Sequence, residues 1–371
     1  MAVEAGAMKI TGIEPIHVSI PFEHGAPKPS EGLGAGGRFD ILFVRVETDA
    51  GITGWGEAFG YAAGPVTMAA LTRIVAPFAI GRDATDIPAL MGGLWFRTKG
   101  MSRNGPVAFA LSGLDIALWD IKGKVTGAPI WKLLGGAGRP RVEAYASLMR
   151  LGPAHVGKVA ADAVARGYRH IKLHEHSVEA VAAARAAVGR DVPLMLDTNC
   201  FWPTVEAARE AAQAMQPHDL AWLEEPLYPP DDFEGLARLR RETGVPIAAG
   251  ENLGNVMDVR RIAEAKAVDV VQPSLAKMGG ISEVVKAIAD AEQRGTRVVL
   301  HAPYSGPALI AAVHVIAAQQ ADMLCEHRYG DLVAKPLGDA TEARDGFLRV
   351  PDGPGLGIEV DVAAIERYRV A

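Results

Sequence analysis

Cysteine is nearly absent from this chain, two in 371 residues, which excludes a disulfide framework as the source of its stability. Long apolar runs are missing too. No 18 consecutive apolar residues occur anywhere, and the opening Met1-Ala2-Val3-Glu4-Ala5-Gly6-Ala7-Met8 has neither a basic start nor a continuous apolar stretch. Neither a membrane span nor a secretory leader is therefore expected, and a cytoplasmic location is. There is no excess of positive charge: 38 Lys and Arg against 44 Asp and Glu leave a net charge of −6, which gives no electrostatic footing for nucleic acid or an anionic membrane. An anionic small-molecule substrate would need local cations. What remains is an ordinary globular composition, 49% hydrophobic and 22% charged, in a chain long enough for two domains or for a barrel of about 250 residues with additions.

The most informative stretch runs from Leu194 to Asn252. Three short apolar runs there each end in a carboxylate: Pro193-Leu194-Met195-Leu196-Asp197, Ala221-Trp222-Leu223-Glu224 and Pro246-Ile247-Ala248-Ala249-Gly250-Glu251. The acids are 27 residues apart both times, with a helix-like segment between, which is the alternation of a parallel sheet built from βαβ units. One such carboxylate can simply cap the next helix. Three at equal spacing on successive strands point to the C-terminal rim of a (β/α) barrel, where active sites lie, and three hard oxygen ligands suit Mg²⁺.

Upstream, residues 9–20 and 41–47 read as strands, and Gly51–Gly56 hold a turn and a short return strand, together an antiparallel meander. Pro21–Arg38, rich in glycine and proline, is expected as a loop and a candidate lid. From Pro65 to Lys124 the pattern is helical. It is clearest over Gly105–Thr126, where Ala108, Leu111, Leu114, Ile116 and Leu118 recur at helical spacing and Gly127 follows as a stop. Eight strands are then expected near Val142–Leu148, His170–His174, Leu194–Asp197, Ala221–Glu224, Ile247–Gly250, Val268–Gln272, Arg297–His301 and Met323–Glu326. The helices between them include Ser177–Val188 and Asp231–Thr243, the latter with Asp231 and Glu234 at capping-box spacing. Residues 1–138 thus read as an N-terminal α+β domain, 139–336 as the barrel, and 337–371 as a segment long enough to return to the first domain. Cys200 and Cys325 fall on non-adjacent strands near the rim and are expected as reduced thiols, neither of them a nucleophile.

Lys172 and His174, two apart on the second barrel strand, point the same way from the sheet, and His301 ends the seventh strand across the rim. These parts suit proton abstraction beside a carboxylate. Such a carbon acid is too weak for a base alone, so a divalent cation on the carboxylate oxygens stabilises the enediolate while Lys or His takes the proton.

The sequence resembles the enolase superfamily, in its mandelate racemase subgroup (mandelate racemase/muconate lactonizing enzyme-like), over nearly its whole length. The likeness is carried by Gly54-Trp55-Gly56-Glu57, by Leu111-Ser112-Gly113-Leu114-Asp115-Ile116-Ala117-Leu118-Trp119-Asp120 and by Trp222-Leu223-Glu224-Glu225-Pro226. Gly250-Glu251-Asn252, Val271-Gln272-Pro273 with Gly279-Gly280-Ile281, and Pro351-Asp352-Gly353-Pro354-Gly355-Leu356-Gly357 extend it. The resemblance implies a (β/α)7β modified TIM barrel with an α+β capping domain, whose loops around 21–38 and Glu57–Tyr61 close over substrate. It places the Mg²⁺ ligands on Asp197, Glu224 and Glu251, and a Lys-x-Lys motif on Lys172-Leu173-His174. His301 matches the seventh-strand histidine, and Glu326 the eighth-strand acid that hydrogen-bonds the substrate carboxylate. A homo-oligomer is implied as well. Asn199, Ser274, Tyr304 and Arg328 are the candidate substrate contacts; Arg328 would pair with a second carboxylate or stand in a surface ion pair.

Two departures matter. The second lysine of the motif is His174, whose ordinary pKa of about 6.5, against about 10.4 for lysine, leaves it largely unprotonated at neutral pH. His174 is then the base with Lys172 turned to the substrate, or Lys172 is the base and His174 binds. Ser274 stands where an aspartate usually pairs with the seventh-strand histidine. It can hydrogen-bond the ring but supplies no charge, which favours His301 as an acid for a departing β-hydroxyl. The expected reaction is dehydration of a sugar acid to a 2-keto-3-deoxy acid, with racemisation, epimerisation or lactone cycloisomerisation as the alternative. A metal-dependent binding protein without turnover is the third reading.

Overall fold

In the computed structural model, which describes residues 8–28 and 35–370, antiparallel pairing organises the first part of the chain. Strand β1 (Ile10–Glu23) pairs with β2 (Arg38–Thr48), and β2 with β3 (Thr53–Ala58). Alternation along β1 buries Ile16, Val18, Ile20 and Phe22. The loop expected from Pro21 to Arg38 is shorter than the sequence suggests. Phe22 and Glu23 stay in the sheet because Leu332 and Asp331 pair with them, and Arg38 already belongs to β2. Residues 29–34 of that candidate lid lie outside the described residues.

Helix Pro106–Thr126 packs on the meander and helix Ile87–Thr98 packs against it; the longer helix ends at Gly127 in a left-handed conformation (φ 66°). The Gly54-Trp55-Gly56 motif has a steric cause here. A Cβ at Gly54 or Gly56 would meet the carbonyl oxygens of Ala117 and Gly113 at 2.3 and 2.0 Å, so only glycine lets β3 approach this helix so closely. A helical stretch at 61–79 is apolar and long enough to cross a membrane by composition, yet Ala70, Leu71, Val75 and Ala79 join this same core.

The second domain is a ring of parallel strands: β4 (Arg141–Ser147), β5 (Ile171–Leu173), β6 (Leu194–Asp197), β7 (Leu220–Glu224), β8 (Ile247–Ala249), β9 (Val270–Val271), β10 (Arg297–Val298) and β11 (Cys325–Arg328). β11 pairs in parallel with β4, and a bridge between Leu300 and Cys325 joins β10 to β11, so the barrel closes. Seven helices fill the crossovers: 156–165, 178–188, 205–215, 233–243, 256–264, 280–293 and 307–318. This is the expected (β/α)7β barrel under an α+β cap. Two details differ from the sequence reading. Helix Phe233–Thr243 is capped by Asp232, whose carboxylate accepts from the Gly235 N–H, and not by Asp231. The ladders of β9 and β10 are only two residues long, and toward the rim a single bridge, Ser274 to His301, continues the pairing.

After β11 come β12 (Asp331–Leu332), β13 (Ala343–Arg344) and β14 (Phe347–Arg349), which pairs antiparallel with β4. The chain then returns to the cap. The Leu356 N–H donates to Asp120 at 2.9 Å, Ile130 N–H to the Gly355 carbonyl at 3.1 Å, and Ser19 N–H to the Tyr368 carbonyl at 3.0 Å.

Candidate active site

Inside the barrel, Tyr145, Met195, Trp222, Ala248, Val270 and Val299 form one dry apolar cluster. Side chains alternate along a strand, so the residues two positions further on share the same interior, one step nearer the rim. Those residues are Ser147, Asp197, Glu224, Gly250, Gln272 and His301, joined by Glu326 from β11. An apolar floor thus carries a polar ring, with Lys172 and His174 supplied from β5 and its end.

Asp197, Glu224 and Glu251 each offer a carboxylate oxygen, and these atoms lie within 4.8 Å of one another. Each acid is held from its flank. Asn199 donates to Asp197 Oδ1 through its backbone N–H at 2.9 Å and its amide at 3.0 Å; Trp222 Nε1 donates to Glu224 Oε2 at 2.9 Å. Glu251 faces His301 Nε2 at 2.9 Å and Lys277 Nζ at 3.5 Å. Burial, reinforced by the charges of Asp197 and Glu326, drives Glu224 well above the usual carboxylate range, and Lys172 only partly opposes this. Burial and Glu251 push Glu225 to about 7. Burial works against ionised Asp197 as well, but Lys172 and His174 hold it below the usual range. Like charges crowded in a dry site, with one acid forced toward neutrality, are what a bound divalent cation relieves. The hard-oxygen donor set fits magnesium.

Lys172 is fully buried, and its Nζ lies 2.7 Å from Glu224 Oε1, 2.7 Å from Glu326 Oε1 and 3.1 Å from Asp197 Oδ2. Burial disfavours the ammonium, yet these three carboxylates together hold it well above the ordinary lysine value. His174 Nδ1 donates to the Leu148 carbonyl, which fixes the tautomer and leaves Nε2, 3.2 Å from Asp197 Oδ2, as the atom that exchanges protons. Both oxygens of Glu326 have protein partners. Oε1 takes Lys172 and Ser147, and Oε2 takes the Ala302 N–H at 3.0 Å, so its carboxylate anchors Lys172.

Across the ring, His301 Nδ1 lies 3.2 Å from the Ser274 hydroxyl, and that hydroxyl in turn contacts the Tyr304 hydroxyl. Ser274 and Tyr304, expected as substrate contacts, are thus engaged behind His301. Asn199 is likewise committed to Asp197. Arg328 turns inward, unlike its neighbours on either side: His327 meets Tyr168 and the Thr341 carbonyl, and Tyr329 meets Asp162. Glu57, expected to cover substrate, instead belongs to β3 and accepts from Ala308 N–H at 2.8 Å, at the start of barrel helix 307–318. Cys200 and Cys325 are free thiols. Three groups were not singled out from sequence: Lys277 beside Glu251, Glu225 accepting from Gly250 N–H at 2.8 Å, and Gln272, whose buried amide has no partner. Glu225 and Gln272 lie inside quoted motifs and Lys277 just before one, so a polar residue in or beside an otherwise apolar strand end was the available signal.

Comparison with known proteins agrees with this architecture. Residues 155–364 match the family described as enolase C-terminal domain-like, and 32–135 match the mandelate racemase/muconate lactonizing enzyme N-terminal domain. The chain is 33% identical to the D-galactarolactone cycloisomerase of Agrobacterium fabrum, covering 98% of this chain and 99% of that one. It is 34% identical to the D-galactonate dehydratase of Ralstonia pickettii, covering 89% and 91%. A crystal structure of a racemase from Streptomyces coelicolor A3(2) with bound magnesium superposes with a TM-score of 0.84 at 29% identity, covering 97% and 100%.

Proposed function

The chain belongs to the enolase superfamily, in its mandelate racemase/muconate lactonizing enzyme family, and from that premise we propose that it dehydrates a sugar acid to a 2-keto-3-deoxy acid. The observation that carries this reading is the caging of Lys172 by three carboxylates. That leaves His174 Nε2 and His301 Nε2, on opposite sides of the acid triad, as the atoms able to move protons. Asp197, Glu224 and Glu251 would hold a magnesium ion, which when bound supplies positive charge against the negative charge developing on the substrate carboxylate. His174 takes the α-proton at Nε2. Lys172, steadied by Glu326, keeps a second positive charge beside the triad. His301 gives the Nε2 proton that faces Glu251 to the β-hydroxyl, so the α C–H and β C–O bonds break, water leaves, and the enol tautomerises. Ser274, uncharged where a carboxylate would make His301 a stronger base, supports the acid role.

The relationship to a cycloisomerase over 98% of the chain supports a second reading, in which the same pair opens or forms a lactone. The enzyme with Mg²⁺ and pooled sugar acids in D₂O separates the two by ¹H NMR. A keto acid carrying deuterium at C3 is expected. A rearranged lactone without keto acid would move the assignment, and metal-dependent ligand binding without any turnover would sink both.

A further inference from the structure

Arg328 is a cation that the proposed reaction leaves unused. It stands two residues beyond Glu326 on β11, so alternation puts both side chains inside the barrel, Arg328 about 7 Å nearer the cap. The residue is 3% exposed. Nη2 donates to the Pro303 carbonyl, which also accepts from the Tyr61 hydroxyl at 3.0 Å. The rings of Phe39 and Tyr61 cover it, with centroids at 4.1 and 5.1 Å. Nε and Nη1 have no partner. Among the described residues no carboxylate lies within 4.0 Å of it, and Glu57 and Asp40 act only at longer range. A buried charge of this kind normally has a paired anion, and guanidinium is the group that pairs best with carboxylate. Its location is specific as well. Pro303 follows His301 by two residues, Glu326 precedes Arg328 by two, and Tyr61 and Phe39 come from the cap. The unpaired donors therefore lie where the barrel rim meets the cap, on the same strand as Glu326 and one step beyond it.

We propose that Arg328 receives a second carboxylate, at the far end of the substrate from the one that reacts, and that this site therefore takes diacids in preference to monoacids. The inference rests on the reading of the triad as the place of the reacting carboxylate. The two aromatic faces hold the guanidinium plane and exclude water, which strengthens a charged hydrogen bond made there.

The test uses acid pairs of equal length that differ only in oxidation at C6, galactarate with galactonate and glucarate with gluconate. Each is assayed with Mg²⁺ by turnover and by shift in melting temperature, for the wild type, Arg328→Gln and Arg328→Lys. For at least one pair the wild type should prefer the diacid by about 10-fold or more, the span of a charge-assisted hydrogen bond. Arg328→Gln should bring that ratio within about threefold of unity, and Arg328→Lys should restore only part of it, as a point charge without the planar donors. Circular dichroism checks folding; if the glutamine variant fails to fold, the wild-type ratio and the lysine variant decide. A monoacid preference in both pairs, no response to any of the acids, or a diacid preference that survives Arg328→Gln would overturn the proposal. Turnover of monoacids alone would overturn it and leave the proposed reaction standing. Arg328-dependent stabilisation by a diacid without proton exchange would support it while removing the reaction.

Discussion

Met195 and Asp197 lie on one strand, two residues apart, and Trp222 and Glu224 lie on the next; the first of each pair belongs to the apolar floor, the second to the ring of buried charge. The floor gains free energy by leaving water. The ring loses it, since burial works against ionised Glu224, ionised Asp197 and charged Lys172. What makes the ring tolerable is mutual compensation: Lys172 among three carboxylates, Glu251 between His301 and Lys277, Glu326 saturated by Lys172, Ser147 and Ala302. The floor makes the fold, and the ring uses its stability to hold groups in costly but reactive states.

The contrast is sharpest in Glu224→Gln. Loss of one charged donor should lower turnover at least about 10³-fold and abolish the rise in melting temperature on adding Mg²⁺. The metal-free protein should be destabilised as well, because Lys172 loses one of its three carboxylate partners. Kinetics and calorimetry with and without EDTA check both halves. Met195→Ala is the converse. Emptying this fully buried site should destabilise the protein by about 2–5 kcal/mol in denaturant titrations, while the Mg²⁺-dependent stabilisation persists. If the two substitutions behave alike, floor and ring are not separable.

A buried acid outside the ring sharpens the comparison further. Burial raises Glu57 from 4.5 to about 7, against the hydrogen bond from Ala308. Its folded value is the higher one, so its contribution to stability is complete below about pH 4.5 and is lost as pH rises through 7. Glu57→Gln should therefore leave stability at pH 4 nearly unchanged and raise it at pH 9 by up to about 3 kcal/mol. Melting at the two pH values tests this.

The equal spacing of Asp197, Glu224 and Glu251 made the barrel and the triad legible in the sequence, because strand alternation and βαβ length are local properties. The contacts of Lys172 and Glu326 were not legible. Whether Lys172 is a base or a fixed cation depends on Glu326, 154 residues away (326 − 172) and adjacent only once β11 closes on β4. Ser274 could be read as a departure, but its contact with Tyr304 depends on how the chain turns after His301. The resemblance put Glu57 over the substrate, whereas it lies in β3 and its carboxylate reaches the end of a helix in the other domain. The ends of β1 and β2 escaped for the same reason, since residues 331–332 set where β1 stops.

The central claim is that His174 and His301 divide the proton transfers while Lys172 only holds charge. The most direct test follows α-proton exchange and keto-acid formation together in D₂O, for the wild type, His174→Ala and His301→Ala. Removal of a general acid or base typically costs 10²- to 10⁴-fold. His174→Ala should lose exchange and product alike, whereas His301→Ala should keep exchanging the α-proton while keto-acid formation collapses. Exchange at the wild-type rate in His174→Ala would contradict the account and return the base to Lys172.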